Sequence, residues 1–235
     1  MRRFLILTLA AFFPLIACND IKKPSSVNFT KAINQYLAKH GEACASIGQT
    51  FPIDVPESEQ NNQYGTAPEM ANLEQPGQAH ASTTTAVVHR MLDALRGASP
   101  PQPVKRYDLT DEGKKYFRQT PGIFEKNGEF FYGDKVVDSI VKWTEPTTTG
   151  ANSQNEATYS YKLVNLAAWA EQPGMQRAFP DIRTPIGGAS KIDQIAGLQL
   201  TNKGWEVPEQ SARLSYCTTA NSAGLRISAM RRHPS

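Results

Sequence analysis

Ser139 and Lys142 stand three residues apart, the spacing at which one turn of helix would present a serine nucleophile to a lysine base. The surrounding run, KVVDSIVKWTEP at 135–146, is strand-forming instead, through Val137, Ile140, Val141 and Trp143. A strand would turn Ser139 and Lys142 to opposite faces. His40 and Cys44 are four apart, which on one helix would bring an imidazole and a thiol together for metal ligation or nucleophilic attack. Gly41 ends the helix between them, and no second ligand follows at suitable spacing. The pair reads as a surface histidine followed by a half-buried cysteine. His80, His89 and His233 are scattered, Gly187-Gly188-Ala189-Ser190 reads as a loop, and Asp108 with Asp111 or Asp134 with Asp138 would do acid-base work only if buried together. These residues lean away from an enzyme, and no metal or cofactor is expected.

Aromatic side chains offer stacking instead. Trp143, Tyr159 and Tyr161 fall in the β-patterned half, where Tyr159, Tyr161 and Leu163 share a face by the two-residue period. On a concave sheet they would face a sugar or an apolar ligand. The competing reading makes them the core of a small α+β domain.

The elements that must position these residues follow from periodicity and breakers. A first helix starts at Asn28 as N-cap, carries Phe29, Ile33, Tyr36, Leu37 and His40 at helical spacing, and stops at Gly41. Residues 44–56 form a short apolar run broken by Gly48 and Pro52, and 57–82 a polar loop holding one short helix around Pro68–Leu73. A second helix is capped by Ser82 or a following Thr, with Val87, Val88, Met91, Leu92 and Leu95 on one face and Gly97 at its end. Val104–Leu109 alternates as a strand, and Thr110 caps a short helix. Asn127-Gly128 signals a hairpin turn, strands are expected at 135–146 and 158–164, and 166–179 is helical but broken at Pro173-Gly174. Residues 180–197 read as loop, and 198–208 as strand, turn and strand. The expected fold is one compact α+β domain over 28–208, N-terminal helices followed by a small antiparallel meander, with a flexible tail at 209–235.

A helix, a connector and then Tyr107-x-Leu109-Thr110-x-x-Gly113 give residues 82–118 a resemblance to the end of a winged-helix domain. That resemblance implies DNA, which export contradicts, so such an element would serve protein contacts or structure.

The export signal is at the N-terminus. Arg2 and Arg3 precede an apolar run over residues 4–17, too short at roughly 21 Å of helix to span a bilayer core. Leu15-Ile16-Ala17-Cys18 resembles the lipobox of bacterial lipoproteins. The resemblance implies removal of residues 1–17, acylation of Cys18 and attachment to the membrane through its acyl chains. Asn19 directly after the cysteine favours the outer membrane facing the periplasm, and residues 18–27 would be the lipidated cysteine and its tether. Cys44 and Cys217 then remain, either bridged across about 170 residues in an oxidising compartment or both free.

The whole chain of 235 residues has a net charge of +3, and loss of the signal leaves 23 basic against 22 acidic side chains. No nucleic-acid partner is expected from so balanced a surface. The leading expectation is a lipid-anchored, periplasm-facing envelope lipoprotein that acts through a protein partner. The alternatives are a small-ligand or glycan binder using the aromatic sheet, or a periplasmic hydrolase of unrecognised type.

Overall fold

The computed structural model describes residues 20–88, 100–121, 126–149 and 152–209. The elements in order are α1 (Ser26–His40), β1 (Glu42–Ser46), β2 (Ile53–Pro56), α2 (Thr66–Glu74), β3 (Ala79–Ala86), β4 (Gln102–Leu109) and α3 (Gly113–Tyr116). They continue as β5 (Phe117–Pro121), β6 (Lys126–Trp143), β7 (Thr147–Thr149), β8 (Asn152–Val164), α4 (Pro173–Ala178), α5 (Pro180–Gly188), β9 (Gln194–Thr201) and β10 (Gly204–Glu206). A curled seven-stranded antiparallel sheet runs β1-β6-β8-β9-β10, with β5 beside β6 and β7 beside β8. A second sheet of three strands is ordered β2-β4-β3.

The fold is α+β as expected, but strands dominate and the helices are not mainly N-terminal. The clearest departure is at Ser82, expected as a helix cap. Residues 79–86 are instead strand β3, paired with β4 from Ala79↔Leu109 to Ala86↔Gln102. The β-branched Thr83-Thr84-Thr85 run suits a pleated ladder better than a helix. The winged-helix-like segment therefore opens in a strand, and its expected apolar helix positions at Met91, Leu92 and Leu95 lie outside the described residues.

β6 is the spine. Phe130 and Tyr132 enter one core while Val137 enters another. Alternate residues of a strand point to opposite faces, so one strand serves a core on each side. Beyond Val137 the register shifts twice, between Val137 and Ser139 and between Ile140 and Lys142. Val137, Ile140 and Trp143 consequently oppose Tyr161, Tyr159 and Ala157. Each shift is a β-bulge that adds a residue to β6, so a spacing of three on one strand matches a spacing of two on its partner.

The first core joins the small sheet, α2, α4 and α5 to the β1–β6 end of the large sheet, burying Ile53, Val55, Met70, Leu73, Phe130, Tyr132 and Ile182. Trp169 is its hub, meeting Tyr116, Phe130 and Tyr132 edge-on at 5.7, 5.9 and 6.2 Å. The second core is simpler. One helix, α1, lays Phe29, Ala32, Ile33 and Leu37 on Val137, Ala157, Tyr159, Tyr161, Leu198 and Trp205. Fully burying one side chain of Phe29's size is worth roughly 1.5–3 kcal/mol.

Local signals explain several boundaries and correct others. The Ser25 hydroxyl, not Asn28, caps α1 by accepting from the Asn28 N–H at 3.3 Å. Asn28 is buried, and its amide donates to the Asp20 and Lys23 carbonyls at 2.9 and 2.8 Å. Residues 20–27, expected within the tether, are thus part of the domain: Trp205 Nε1 also donates to the Lys22 carbonyl at 3.1 Å. Asn127-Gly128 is no turn, for both residues lie inside β6, opposite Thr120 and Gln119. Gly128 is needed for close approach, because a Cβ there would stand 2.2 Å from the Gln49 carbonyl oxygen. Residues 180–188, expected as loop, form α5, in which Pro180 takes the first turn and Ile182 is buried. The α2 segment, the Thr110-capped turn, the break at Pro173-Gly174 and the β9–β10 hairpin match expectation.

Candidate functional site

A concavity of about 560 Å³ lies between α1 and the last strands. The solvent-facing flank of α1 supplies Gln35, Tyr36 and Lys39, and the β9–β10 hairpin with the chain after it supplies Gln199, Thr201, Glu206, Val207, Pro208 and Glu209. These residues meet because β10 packs beside α1, and Pro208 keeps the chain from adding further strand there. Ala32, Tyr36, Val207 and Pro208 make the wall largely apolar. At the rim, Lys39 Nζ stands 2.7 Å from Glu209 Oε1.

The groove's electrostatics are those of a closed ion pair. The hydrogen bond from Lys39 holds the Glu209 carboxyl below its usual range and pulls the Lys39 ammonium up in return. Burial, then the Glu209 charge, raises the Tyr36 phenol. Tyr36 also stacks on His40, ring centroids 4.5 Å apart. The arrangement can hold an apolar stretch and exchange its own ion pair for an incoming charge or backbone group. It presents neutral hydroxyl, ammonium and carboxylate groups already matched to one another.

The expected ligand-facing aromatics are not brought to a cleft. Tyr159 and Tyr161 are 4% and 5% exposed under α1, which fills the face they share. The Tyr161 hydroxyl donates to the Pro185 carbonyl at 2.9 Å, and burial pushes the Tyr159 phenol up to about 12. Trp143 alone of the three reaches solvent, at 42%, with its ring edge-on to Phe29 at 5.7 Å. The period-two alternation sets which residues share a face but carries no information about what covers that face.

Of the catalytic candidates, Ser139 and Lys142 share a face, contrary to the expectation for a regular strand, because the bulge between Ile140 and Lys142 sets them opposite Ser160 and Thr158. Ser139 Oγ is hydrogen-bonded to Ser160 Oγ at 2.9 Å across the β6–β8 ladder. His40 ends α1 against Tyr36, whereas Cys44 sits in β1, fully buried against Phe131. Cys44 is disulfide-bonded; Cys18 and Cys217 lie outside the described residues. Asp111 pairs with Lys114 in solvent, Asp134 accepts from the Asn165 amide, and Ser190 closes the end of α5 with its N–H on the Tyr161 carbonyl. Lys135 has the strongest described amine perturbation: burial lowers it to about 8, its Nζ 5.2 Å from the centre of the Tyr161 ring. Among the described residues no group of three His, Cys, Asp or Glu side chains could hold a metal, and no helix is long and apolar enough to cross a membrane. Sequence reasoning missed the groove, whose walls are more than 150 residues apart; Tyr36, at the margin of the α1 apolar stripe, was the one local sign of it. No family model, curated protein or solved structure matches this chain.

Proposed function

We propose that this chain is a bacterial envelope lipoprotein, held by acyl chains on Cys18 and facing the periplasm from the outer membrane, whose domain binds an extended segment of a protein partner in the groove between α1 and Val207–Glu209. The observation that carries the binding role is the groove itself: a largely apolar concavity of about 560 Å³, edged by an exposed ion pair that can be traded for contacts to a partner. The anchoring role rests on the lipobox-like Leu15-Ile16-Ala17-Cys18.

Two measurements test the proposal. The first is fractionation of Cys18→Ser, which is expected in the soluble periplasmic fraction; its retention in the membrane overturns the anchor. The second places a photo-crosslinking residue at Gln35, exposed at the groove, and another at Glu171, exposed elsewhere. A discrete protein adduct from Gln35 alone supports the groove as the binding site. Equal adducts from both positions, or none from Gln35, remove it.

A further inference from the structure

We infer that the end of the domain carrying Ile21, Val27 and Trp143 rests directly on the lipid headgroups, so that the anchored domain is held in one orientation. This rests on the proposed acylation of Cys18.

The geometry begins at Asp20. Its carbonyl accepts from the Asn28 amide at 2.9 Å and from the Lys23 N–H at 3.0 Å. The Lys22 carbonyl accepts from Trp205, and a Cβ on Gly204 would lie 3.0 Å from the Ile21 carbonyl oxygen. The chain is therefore fixed to the domain from residue 20 onward, and only Asn19 separates it from Cys18. Two residues reach at most about 7 Å. The headgroup layer of one leaflet is itself roughly 5–7 Å thick. A domain held that closely has no length of chain with which to lift clear of it.

The surface at this end suits that position. Ile21 in the loop before α1, Val27 in the first turn of α1 and Trp143 against Phe29 are large apolar groups 45%, 62% and 42% exposed. Trp143 meets Phe29 at 5.7 Å and Phe29 meets Trp205 at 5.3 Å, which links Trp143 to the Lys22 loop. The described segments 20–31, 141–145 and 201–204 carry five exposed lysines (Lys22, Lys23, Lys31, Lys142 and Lys203) against two exposed acids, Asp20 and Glu145. A tryptophan and aliphatic groups among lysines are what an interface of acyl chain, headgroup and anionic phosphate stabilises. The same placement orients the groove. Lys39 lies twelve residues along α1 from Val27, or ~18 Å along the helix axis, so the Lys39–Glu209 rim is the part of the groove farthest from the Val27 end of α1.

The test uses the full acylated chain in vesicles of phosphatidylethanolamine and phosphatidylglycerol, with a matched set brominated near the headgroup end of the acyl chains. Trp169 and Trp205 are each 5% exposed, so bromine should quench Trp143 emission, and Trp143→Phe should abolish the bromine-dependent part. Being half in solvent, Trp143 can be replaced without unfolding the domain, which near-ultraviolet circular dichroism checks. Flotation with the vesicles but no bromine-dependent quenching, or quenching unchanged in Trp143→Phe, overturns the orientation while leaving the anchor intact. Failure of the wild-type chain to float overturns both. A second reading uses soluble Cys18→Ser protein: weak flotation with phosphatidylglycerol vesicles, lost in high salt and in the Lys22→Glu/Lys23→Glu variant, supports the contact. Equal flotation by that charge-reversed variant removes the lysines from it.

Discussion

The two cores are built by opposite strategies. The first gathers side chains from both sheets and three helices around Trp169, and no single element could be lifted out without exposing most of it. The second is one amphipathic helix laid on the β6–β8–β9 face, its contacts set by four residues of α1. The first core is where many weakly patterned segments, among them α5 and the Thr-rich β3, acquire their structure from neighbours. The second is where a strong local pattern finds a ready surface. The proposed functional features, groove and membrane-facing end, both belong to the second. A helix that buries one stripe has a free flank and a free terminus to offer, whereas an element enclosed in the first core has neither.

The sharpest way to break this contrast is to hollow each core. Phe130→Ala and Phe29→Ala are each expected to cost about 3–5 kcal/mol, since both rings are at most 1% exposed. Because β6 belongs to both cores, urea unfolding should remain one transition in each variant, with fluorescence and circular dichroism coincident. Separate transitions for the two probes would mean that the cores are independent units. A smaller loss, about 1–3 kcal/mol, is expected for Gly128→Ala, where the new methyl meets the Gln49 carbonyl and the Phe117 ring; an unchanged midpoint would show that β6 has slack there.

Lys135 gives a pH test on the α1 side. Burial favours its neutral form, holding it near 8 when folded against an ordinary 10.5, so the unfolded chain binds more protons between those values. Stability should therefore rise from pH 8 to 10, by an amount on the order of 1–2 kcal/mol. Tyr159, raised to about 12, acts in the other direction only above about 10, where an unfolded tyrosine begins to ionise. Lys135→Met should flatten the rise between pH 8 and 10 in urea midpoints; an undiminished slope would assign it to other groups. The smallest effect, about 1 kcal/mol, is expected for Ser25→Ala, which removes the α1 cap and leaves the first core untouched.

Much of the second core was legible in the sequence because its information is local. Phe29, Ile33 and Leu37 announce a stripe, Gly41 stops it, and Asn202-Lys203 turns β9 into β10. The first core was less so. Thr83-Thr84-Thr85 becomes strand because all eight residues of β3 pair with β4, and α5 forms around Pro185 with Ile182 buried in the first core. The Asn-Gly pair at 127–128 misled because glycine was needed for a close backbone contact rather than for a turn. Within the candidate site, the shared face of Tyr159 and Tyr161 could be read, but its cover, a helix more than a hundred residues earlier, could not. Along β6 the apolar spacing of three resembles neither a strand nor a full helical stripe, since two bulges stretch a period of two.

Those bulges also determine which length changes the spine can absorb. Asp138 and Val141 are the residues left without a β8 partner at the two shifts, so deleting either would remove one bulge and bring its neighbours into one-to-one pairing with every side chain keeping its face. A deletion in the unbulged stretch Asp134–Val137 has no spare residue to draw on, and every side chain on one flank of the cut would exchange faces relative to the other. Shortening β6 should thus be far less damaging at a bulge than four residues earlier, so that the bulges are where the spine can change in length.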